Sequence, residues 1–574
     1  VRQLHGIAAS PGIAIGPLFK VVPSELQLEA HPASDLTAEW GRLEQALTTA
    51  SEQLRGVREK ALQATDPDTA AIFDAQAAML SDPELLSLCK TDLRKRALNV
   101  EVIWRDAVDQ FARRLEALSD PYIRARAADL RDAAGRVLRL LAGAEGQAPA
   151  SPSVPSIVAA RDLTPSDTVT MDKRMVLGFC TAEGGETSHT AILARTLGIP
   201  AVVGLGADLL VLQASSQAIL DGTGGVVTVD PDTAAIAEWK DKNQAEFAMH
   251  AQALSSRHEP AVTLDGTQVD VIANIGSLED AHGAMDMGAE GVGLLRTEFL
   301  YLQRDSLPGE VEQLREYTKI LDVFGDRPVV LRTLDIGGDK AVPYLDLTRE
   351  SNPFLGLRGL RLCLARPELV RPQLLAALQA GVGHNLRLMF PMVSTLEEVL
   401  AARRLLEECR AALQAQAKTA ARTMEVGIMV EVPSAALLAA RIAPHVDFFS
   451  IGTNDLTQYT LAADRTNAQV AGISNAFSPA VLTLIDSVIR AAHDHGKRVA
   501  VCGELAGQPI AIPILLGFGL DEFSMSPPAI PLAKEIMRGL SRGDCRHLAS
   551  ETLGLENAQQ VRDFVQKELP WISG

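Results

Sequence analysis

The spacing of apolar positions changes character several times along the chain. Residues 1–22 carry short apolar runs broken by Gly6 and Pro11-Gly12, which predict a short β segment. From about residue 33 to 145 the spacing lengthens to three and four, the period of an amphipathic helix. Leu43, Ala46, Leu47, Ala50 and Leu54 form one such stripe, and Ile103, Ala107, Val108, Phe111 and Leu115 form another. Asp66-Pro67 and Ser81-Asp82-Pro83 supply N-cap and first-turn signals. Residues 143–155, rich in Gly, Ala, Pro and Ser, read as a linker. Short apolar runs return at 156–161, 176–180, 201–203, 218–221 and 226–229. Residues 1–22 and 150–230 are therefore expected to form one small α/β domain, with 23–149 inserted as an all-helical unit and 231–261 as a linking helix.

Beyond residue 262 the pattern becomes strand–helix alternation. Eight runs stand out, at 269–275, 291–296, 328–334, 386–390, 426–430, 446–451, 498–502 and 521–524. Eight such units in residues 262–574 predict a (β/α)8 barrel, whose active site belongs at the C-terminal strand ends. Those ends are chemically loaded. They carry Arg296-Thr297-Glu298, Arg332-Thr333-Leu334-Asp335, Glu431, Asn454-Asp455 and Cys502-Gly503-Glu504, with Arg465 in the loop after the sixth strand.

Bulk composition narrows the class. The 574 residues exceed one core and suggest about three to four domains. Hydrophobic residues make up 47% and charged residues 22%, as in ordinary globular proteins. Aromatics are only 4%, so cores must be built from aliphatic side chains. A net charge of −18 argues against a nucleic-acid partner and leaves room for a basic protein partner. The six cysteines form no C-x-x-C pair, which points to neither a zinc site nor a disulfide framework and fits a reducing cytoplasm. No apolar run reaches membrane-spanning length, so no membrane insertion is expected, and no signal peptide is visible. The start at Val1 is compatible with a piece of a longer polypeptide.

Two constellations carry chemistry. The first is Gly184-Gly185-Glu186-Thr187-Ser188-His189-Thr190, where a loop becomes a helix. A helix N-terminus is a ready anion site, and a neutral imidazole there can accept a phosphoryl group. An isolated histidine beside a cap is usually structural, and the surrounding Gly-Gly-x-Thr-Ser-His string is what raises its standing. The second is the barrel mouth. Arginines grip phosphate and carboxylate in a fork. Glu431 and Asp455 suit a hard divalent cation, Mg²⁺, completed by substrate oxygens. A thiol over a forming enolate can deliver a proton to carbon. Each residue alone has a plain structural reading: Cys502 as a small buried hydrophobe, Glu431 and Asp455 as ion-pair partners of the arginines. Their joint occurrence points to a small substrate with phosphate and carboxylate that passes through an enolate; phosphoenolpyruvate fits all three.

From residue 5 to about 540 the chain resembles enzyme I of the bacterial phosphotransferase system, the phosphoenolpyruvate–protein phosphotransferases. The resemblance rests on Gly-Gly-x-Thr-Ser-His, the 291–300 string, 335–340, Asn352-Pro353-Phe354-Leu355-Gly356, 448–459 and 502–507. It implies that His189 is phosphorylated on Nε2, with Thr168 hydrogen-bonded to it. It implies that Arg296, Arg332, Asn454, Asp455 and Arg465 hold phosphoenolpyruvate, that Glu431 and Asp455 carry Mg²⁺, and that Cys502 protonates enolpyruvate. Arg358 and Lys340 match further positions of the same cleft. The helical insertion, through residues 66–85, would dock the carrier HPr, and the barrel would form a homodimer. One histidine must then serve both the barrel and HPr, so a swivel about residues 230–260 is expected.

Glu186 stands where relatives often have a basic residue, and residues 466–475 depart from the usual wording. A dikinase or synthase relative would need an ATP-binding domain ahead of the histidine domain, and no Gly-rich nucleotide loop is visible there. A non-catalytic regulator would have lost mouth residues, and all are present. In some bacteria the enzyme I module is fused behind carrier domains.

Overall fold

In the computed structural model the described residues are 2–21, 28–64, 67–117, 121–143, 152–163, 171–185, 188–214, 216–302, 304–337, 342, 344–345, 350–464, 467 and 470–572. They divide into two units, Val1–Ala245 and Glu246–Gly574. The linker reading of residues 143–155 lies mostly outside the described residues.

In the first unit, eight strands form one sheet: β1 (Arg2–His5), β2 (Ile7–Ser10), β3 (Ile13–Lys20), β4 (Ser156–Ala160), β5 (Val176–Thr181), β6 (Ala201–Val203), β7 (Gln217–Asp221) and β8 (Val226–Val229). Their order is β1-β8-β7-β3-β4-β5-β6-β2, parallel from β3 to β6 and antiparallel at both flanks. The single β segment expected over 1–22 is thus three strands. Gly12, at φ +113° beside Pro11, turns the chain between the second and third. β4 is buried on both faces: Ile157 and Ala159 join Leu18, Cys180 and Val202, while Val158 and Ala160 join Phe179, Ala191 and Ala194. That double burial explains its uninterrupted apolar run.

Between β3 and β4 run five helices, α1 (Leu36–Ala64), α2 (Pro67–Leu80), α3 (Pro83–Arg96), α4 (Val100–Glu116) and α5 (Pro121–Leu141). Leu43, Ala46, Ala50, Leu54 and Val57 of α1 are buried in one core with Ile103, Ala107 and Val108 of α4. Trp104 is fully buried, and its indole N–H donates to Ala134 O at 3.1 Å. Asp82 caps α3, accepting from the Glu84 and Leu85 N–H groups at 2.8 and 3.2 Å. Asp66 lies outside the described residues. Two more helices follow β5 and β8: α6 (His189–Leu197) and α7 (Thr233–Ser255).

The second unit is a closed barrel. After β9 (Ala261–Val262), strands β10 (Gln268–Ile275), β11 (Val292–Leu295), β12 (Val329–Arg332), β13 (Leu386–Phe390), β14 (Val426–Val430), β15 (Phe448–Ile451), β16 (Arg498–Val501) and β17 (Glu522–Met525) pair in parallel. β10 bonds to both β11 and β17, which closes the ring. The helices outside include α8 (Leu278–Asp286), α9 (Glu310–Phe324), α10 (Leu360–Ala365), α11 (Pro367–Ala380) and α12 (Leu396–Ala415). Leu294, Val330, Met389, Met429, Phe448 and Cys502 fill the barrel interior as one cluster, while Leu295, Leu331, Leu388, Ile428 and Val501 face the helices. The strands at 291–296 and 328–334 end one or two residues before their apolar runs do, although the Arg296 N–H still donates to Ile275 O and the Thr333 N–H to Met389 O, both at 2.9 Å. No helix of the described residues is long and apolar enough to cross a membrane.

α12 begins with a reciprocal cap. Thr395 Oγ1 accepts from the Glu398 N–H at 3.3 Å, and Glu398 Oε2 accepts from the Thr395 and Ser394 N–H groups at 3.0 and 2.7 Å. Thr395→Ala is expected to destabilise the protein by about 1 kcal/mol. Denaturant unfolding of the full chain, followed by far-UV signal, checks this; an unchanged midpoint would mean that the Glu398 half of the cap suffices.

Candidate active site

Two places concentrate polar chemistry, one in each unit. In the first unit it is the start of α6. Ser188 is the N-cap, with φ −66° and ψ 154°, and its Oγ accepts from the Ala191 N–H at 3.4 Å. His189 is therefore the first helical residue, at the end of the helix where backbone N–H groups point outward and the dipole is positive. Thr190 anchors this end, its hydroxyl reaching Asp162 Oδ1 at 3.4 Å and Leu163 O at 3.3 Å. Arg195 Nε donates to Ala9 O at 2.6 Å, fixing the helix against β2. Glu186, Thr187 and Thr168 lie outside the described residues.

In the second unit the barrel mouth holds a buried charge cluster. Arg332, at the end of β12, is only 6% exposed. Its Nη2 donates to Glu298 Oε1 at 2.6 Å, and its Nη1 lies 3.3 Å from Asp335 Oδ2. Arg358, 1% exposed, forks twice. Its Nε and Nη2 bond Asp335 at 3.0 and 3.1 Å, and its Nη1 and Nη2 bond Asp455 at 3.1 and 3.2 Å. The guanidinium also lies over the Phe354 ring, 5.9 Å from its centroid. Burial alone would lower both arginine pKa values. The neighbouring carboxylates, Glu298 and Asp335 for one and Asp335 and Asp455 for the other, more than offset it and raise them.

Glu431 stands apart. It is 1% exposed and, among the described residues, accepts a hydrogen bond from the Met392 N–H at 2.7 Å. Met392 is held at φ +57°, a left-handed conformation that costs a non-glycine residue free energy. Gly452 packs against the carboxylate's stem, where an added Cβ would come within 2.7 Å of Glu431 Cγ. Burial first, then Asp455 and Asp335, push the Glu431 carboxyl well above the usual range, against Arg332 and Arg358. Around this mouth four buried carboxylates (Glu298, Asp335, Glu431 and Asp455) face two buried guanidiniums and the exposed Arg296. With the Glu431 carboxyl raised, the acids and guanidiniums described here nearly balance, and an anionic substrate would be favoured by an added cation. Glu431 and Asp455 are hard oxygen donors and fit one, with substrate and water filling the rest. Among the described residues no group of three such side chains is placed to hold a metal by itself.

Cys502 sits just past β16, 3% exposed, with its thiol 3.6 Å from Ile451 O. Burial pushes the thiol up to about 11; Ser450, Arg332 and Arg296 pull the other way. It is thus a proton-bearing thiol at neutral pH. Asn454 and Glu504 clasp each other, Asn454 Nδ2 donating to Glu504 Oε1 at 3.1 Å and the Glu504 N–H donating to Asn454 Oδ1 at 3.2 Å. Arg332 Nε, Thr333 Oγ1, Ser450 Oγ and Thr453 Oγ1 are buried without a hydrogen-bond partner among the described residues. All four belong to β12, β15 or the residues just after them.

The structure thus brings Arg296, Arg332, Arg358, Glu431, Asn454, Asp455 and Cys502 to one barrel mouth. Arg465, Lys340 and Thr466 lie outside the described residues. The sequence reading offered Glu431 and Asp455 as partners for Arg296 and Arg332; the pairs found are Arg332 with Glu298 and Asp335, and Asp455 with Arg358. Glu298 and Asp335 were passed over as charge partners. Their position at barrel strand ends was the available signal.

Comparison with known proteins follows this division. Residues 5–126 match the family described as PEP-utilising enzyme, N-terminal. Residues 153–225 match PEP-utilising enzyme, mobile domain, and residues 250–542 match PEP-utilising enzyme, PEP-binding domain. A phosphoenolpyruvate-protein phosphotransferase of Geobacillus stearothermophilus is 45% identical over 566 residues, covering 99% of this chain and 98% of its own. That of Bacillus subtilis (strain 168) is 43% identical over 567 residues, covering 99% and 100%. A solution structure of Enzyme I, 38% identical, covers 42% of this chain and 99% of its own, with a TM-score of 0.36.

Proposed function

The chain belongs to the phosphoenolpyruvate-protein phosphotransferases, and from that premise we propose that it moves the phosphoryl group of phosphoenolpyruvate to His189 and on to the histidine of a carrier protein, HPr. The observation that carries the reading is the charge cluster of the barrel mouth, with Cys502 beside it. The relatives' names favour it over a dikinase, a synthase or a regulator.

Arg296 and Arg332 bind the phosphate and carboxylate of the substrate, Arg332 with its free Nε and Arg296 from the exposed rim; Arg465 and Asn454 complete the grip. Glu431 and Asp455 would hold Mg²⁺, which when bound neutralises phosphate and enolate oxygens. Glu298 and Asp335 keep the Arg332 fork oriented. His189 Nε2 attacks phosphorus; the bond from phosphorus to the enol oxygen breaks, and enolpyruvate is left. Cys502 then gives its proton to the methylene carbon, forming pyruvate and a thiolate that solvent reprotonates. The α1–α5 unit is the docking surface for HPr, the barrel unit pairs with a second copy, and the enzyme works in the cytoplasm.

The test is intact-protein mass at neutral pH after mixing with phosphoenolpyruvate and Mg²⁺. A gain of one phosphate, lost in acid and removed by HPr, is expected. A protein that gains none, yet binds phosphoenolpyruvate, would overturn the reading in favour of a regulator.

A further inference from the structure

Ser450 carries a buried hydroxyl with no hydrogen bond of good geometry among the described residues. It is the third residue of β15, in the run Phe448-Phe449-Ser450-Ile451. β15 lies beside β16 with Ser450 opposite Ala500. Cys502 is two residues beyond Ala500, so both side chains project to the same side, the barrel interior. There Cys502 clusters with Leu294, Val330, Met389, Met429 and Phe448, all apolar. The Cys502 N–H is tied to Ile451 O at 3.0 Å, the neighbour of Ser450. Ser450 is 1% exposed, and its Oγ has no hydrogen-bond partner among the described residues. A buried hydroxyl without a good hydrogen bond costs stability, so one retained in the barrel core calls for a reason. Two polar side chains flank it at equivalent places, Glu431 beyond Met429 on β14 and Cys502 beyond Ala500 on β16; of these the hydroxyl acts on the thiol, where a hydrogen bond from it lowers the pKa.

We propose that Ser450 is a positioning residue for proton delivery, its hydroxyl donating a hydrogen bond to the Cys502 sulfur as the thiol becomes a thiolate. The inference rests on the reading of Cys502 as the proton donor. In the ground state a thiol is a weak acceptor, and the hydroxyl gains little from it. As the S–H bond breaks and the new C–H bond forms on enolpyruvate, negative charge gathers on sulfur. A hydrogen bond to a charged group is about twice as strong as a neutral one. The interaction is therefore strongest in the transition state, which is where it raises the rate.

The experiment compares wild type, Ser450→Ala and Cys502→Ala as full chains, each mixed with excess phosphoenolpyruvate and Mg²⁺ in a single turnover. Pyruvate formation, the phosphoenolpyruvate dissociation constant and the unfolding midpoint are read for each. Ser450→Ala is expected to slow pyruvate formation roughly ten- to a hundredfold. Its dissociation constant should match wild type, and its midpoint should be equal or higher, because the orphan group is gone. A wild-type rate in Ser450→Ala beside a slow Cys502→Ala would leave the hydroxyl idle and sink the inference alone. A lowered midpoint or weakened binding in Ser450→Ala would also sink it, by making the hydroxyl structural. A wild-type rate in Cys502→Ala would instead remove the premise.

Discussion

Replacing His189 by alanine is expected to abolish phosphoryl transfer while leaving the barrel intact. The variant should gain no phosphate from phosphoenolpyruvate and pass none to HPr, a loss of at least about 10⁴-fold. The argument is chemical. No other group at the start of α6 is a nitrogen nucleophile: Ser188 is committed to the Ala191 N–H and Thr190 to Asp162 and Leu163. Substrate affinity should survive, because Arg296, Arg332, Glu431 and Asp455 all belong to the other unit. Intact mass and direct titration with phosphoenolpyruvate measure the two halves separately. The chain has eleven histidines, so phosphate that persists in the variant would have to be mapped to another of them, and the assignment of His189 would fall.

Glu431→Gln is expected to cost activity and add stability. Glutamine keeps an acceptor for the Met392 N–H but cannot offer a charged oxygen to a cation, so pyruvate formation should drop by about 10³-fold or more. In metal-free protein the same change removes a buried negative charge. The sign follows from the raised pKa. The folded protein holds the Glu431 proton more tightly than the unfolded chain does, so the carboxyl's contribution worsens as pH climbs from the ordinary carboxylate range through neutrality. The stabilisation by glutamine should therefore be absent near pH 4 and reach about 1–3 kcal/mol at alkaline pH. Unfolding with a chelator present, at both ends of that range, measures it. A variant less stable than wild type at alkaline pH would show that Glu431 is held by attraction to Arg332 and Arg358.

The barrel was legible because most of its strands are buried on both faces and so read as short, largely apolar runs between helical stretches. The mouth arginines were legible for a related reason: a charge at the end of such a run stands where barrels place their chemistry. What could not be read were pairings between distant positions. Nothing in the string says that Arg358 spends its fork on Asp335 and Asp455, about 20 and 100 residues away, because that choice is made by strand order and loop path. Ser450 was hidden inside Phe448-Phe449-Ser450-Ile451, where one small polar residue among large apolar ones reads as core. The turn at Met392 was invisible too, since the residue type gives no hint of a positive φ. The first 22 residues were read as one segment although Gly6 and Pro11-Gly12 break their apolar runs at the places where the chain divides into three strands.

Arg358 has one more implication. It joins Asp335, just past the end of β12, to Asp455, in the first turn of the helix Thr453–Leu461 that follows β15, strands separated by two others around the ring. Removing the arginine alone would strand two acids in a dry interior; removing either acid alone would leave half a fork unanswered. No single change among the three is neutral, whatever it does to the reaction. Redesign of this cleft for a different substrate would therefore have to replace all three residues at once to keep the barrel folded.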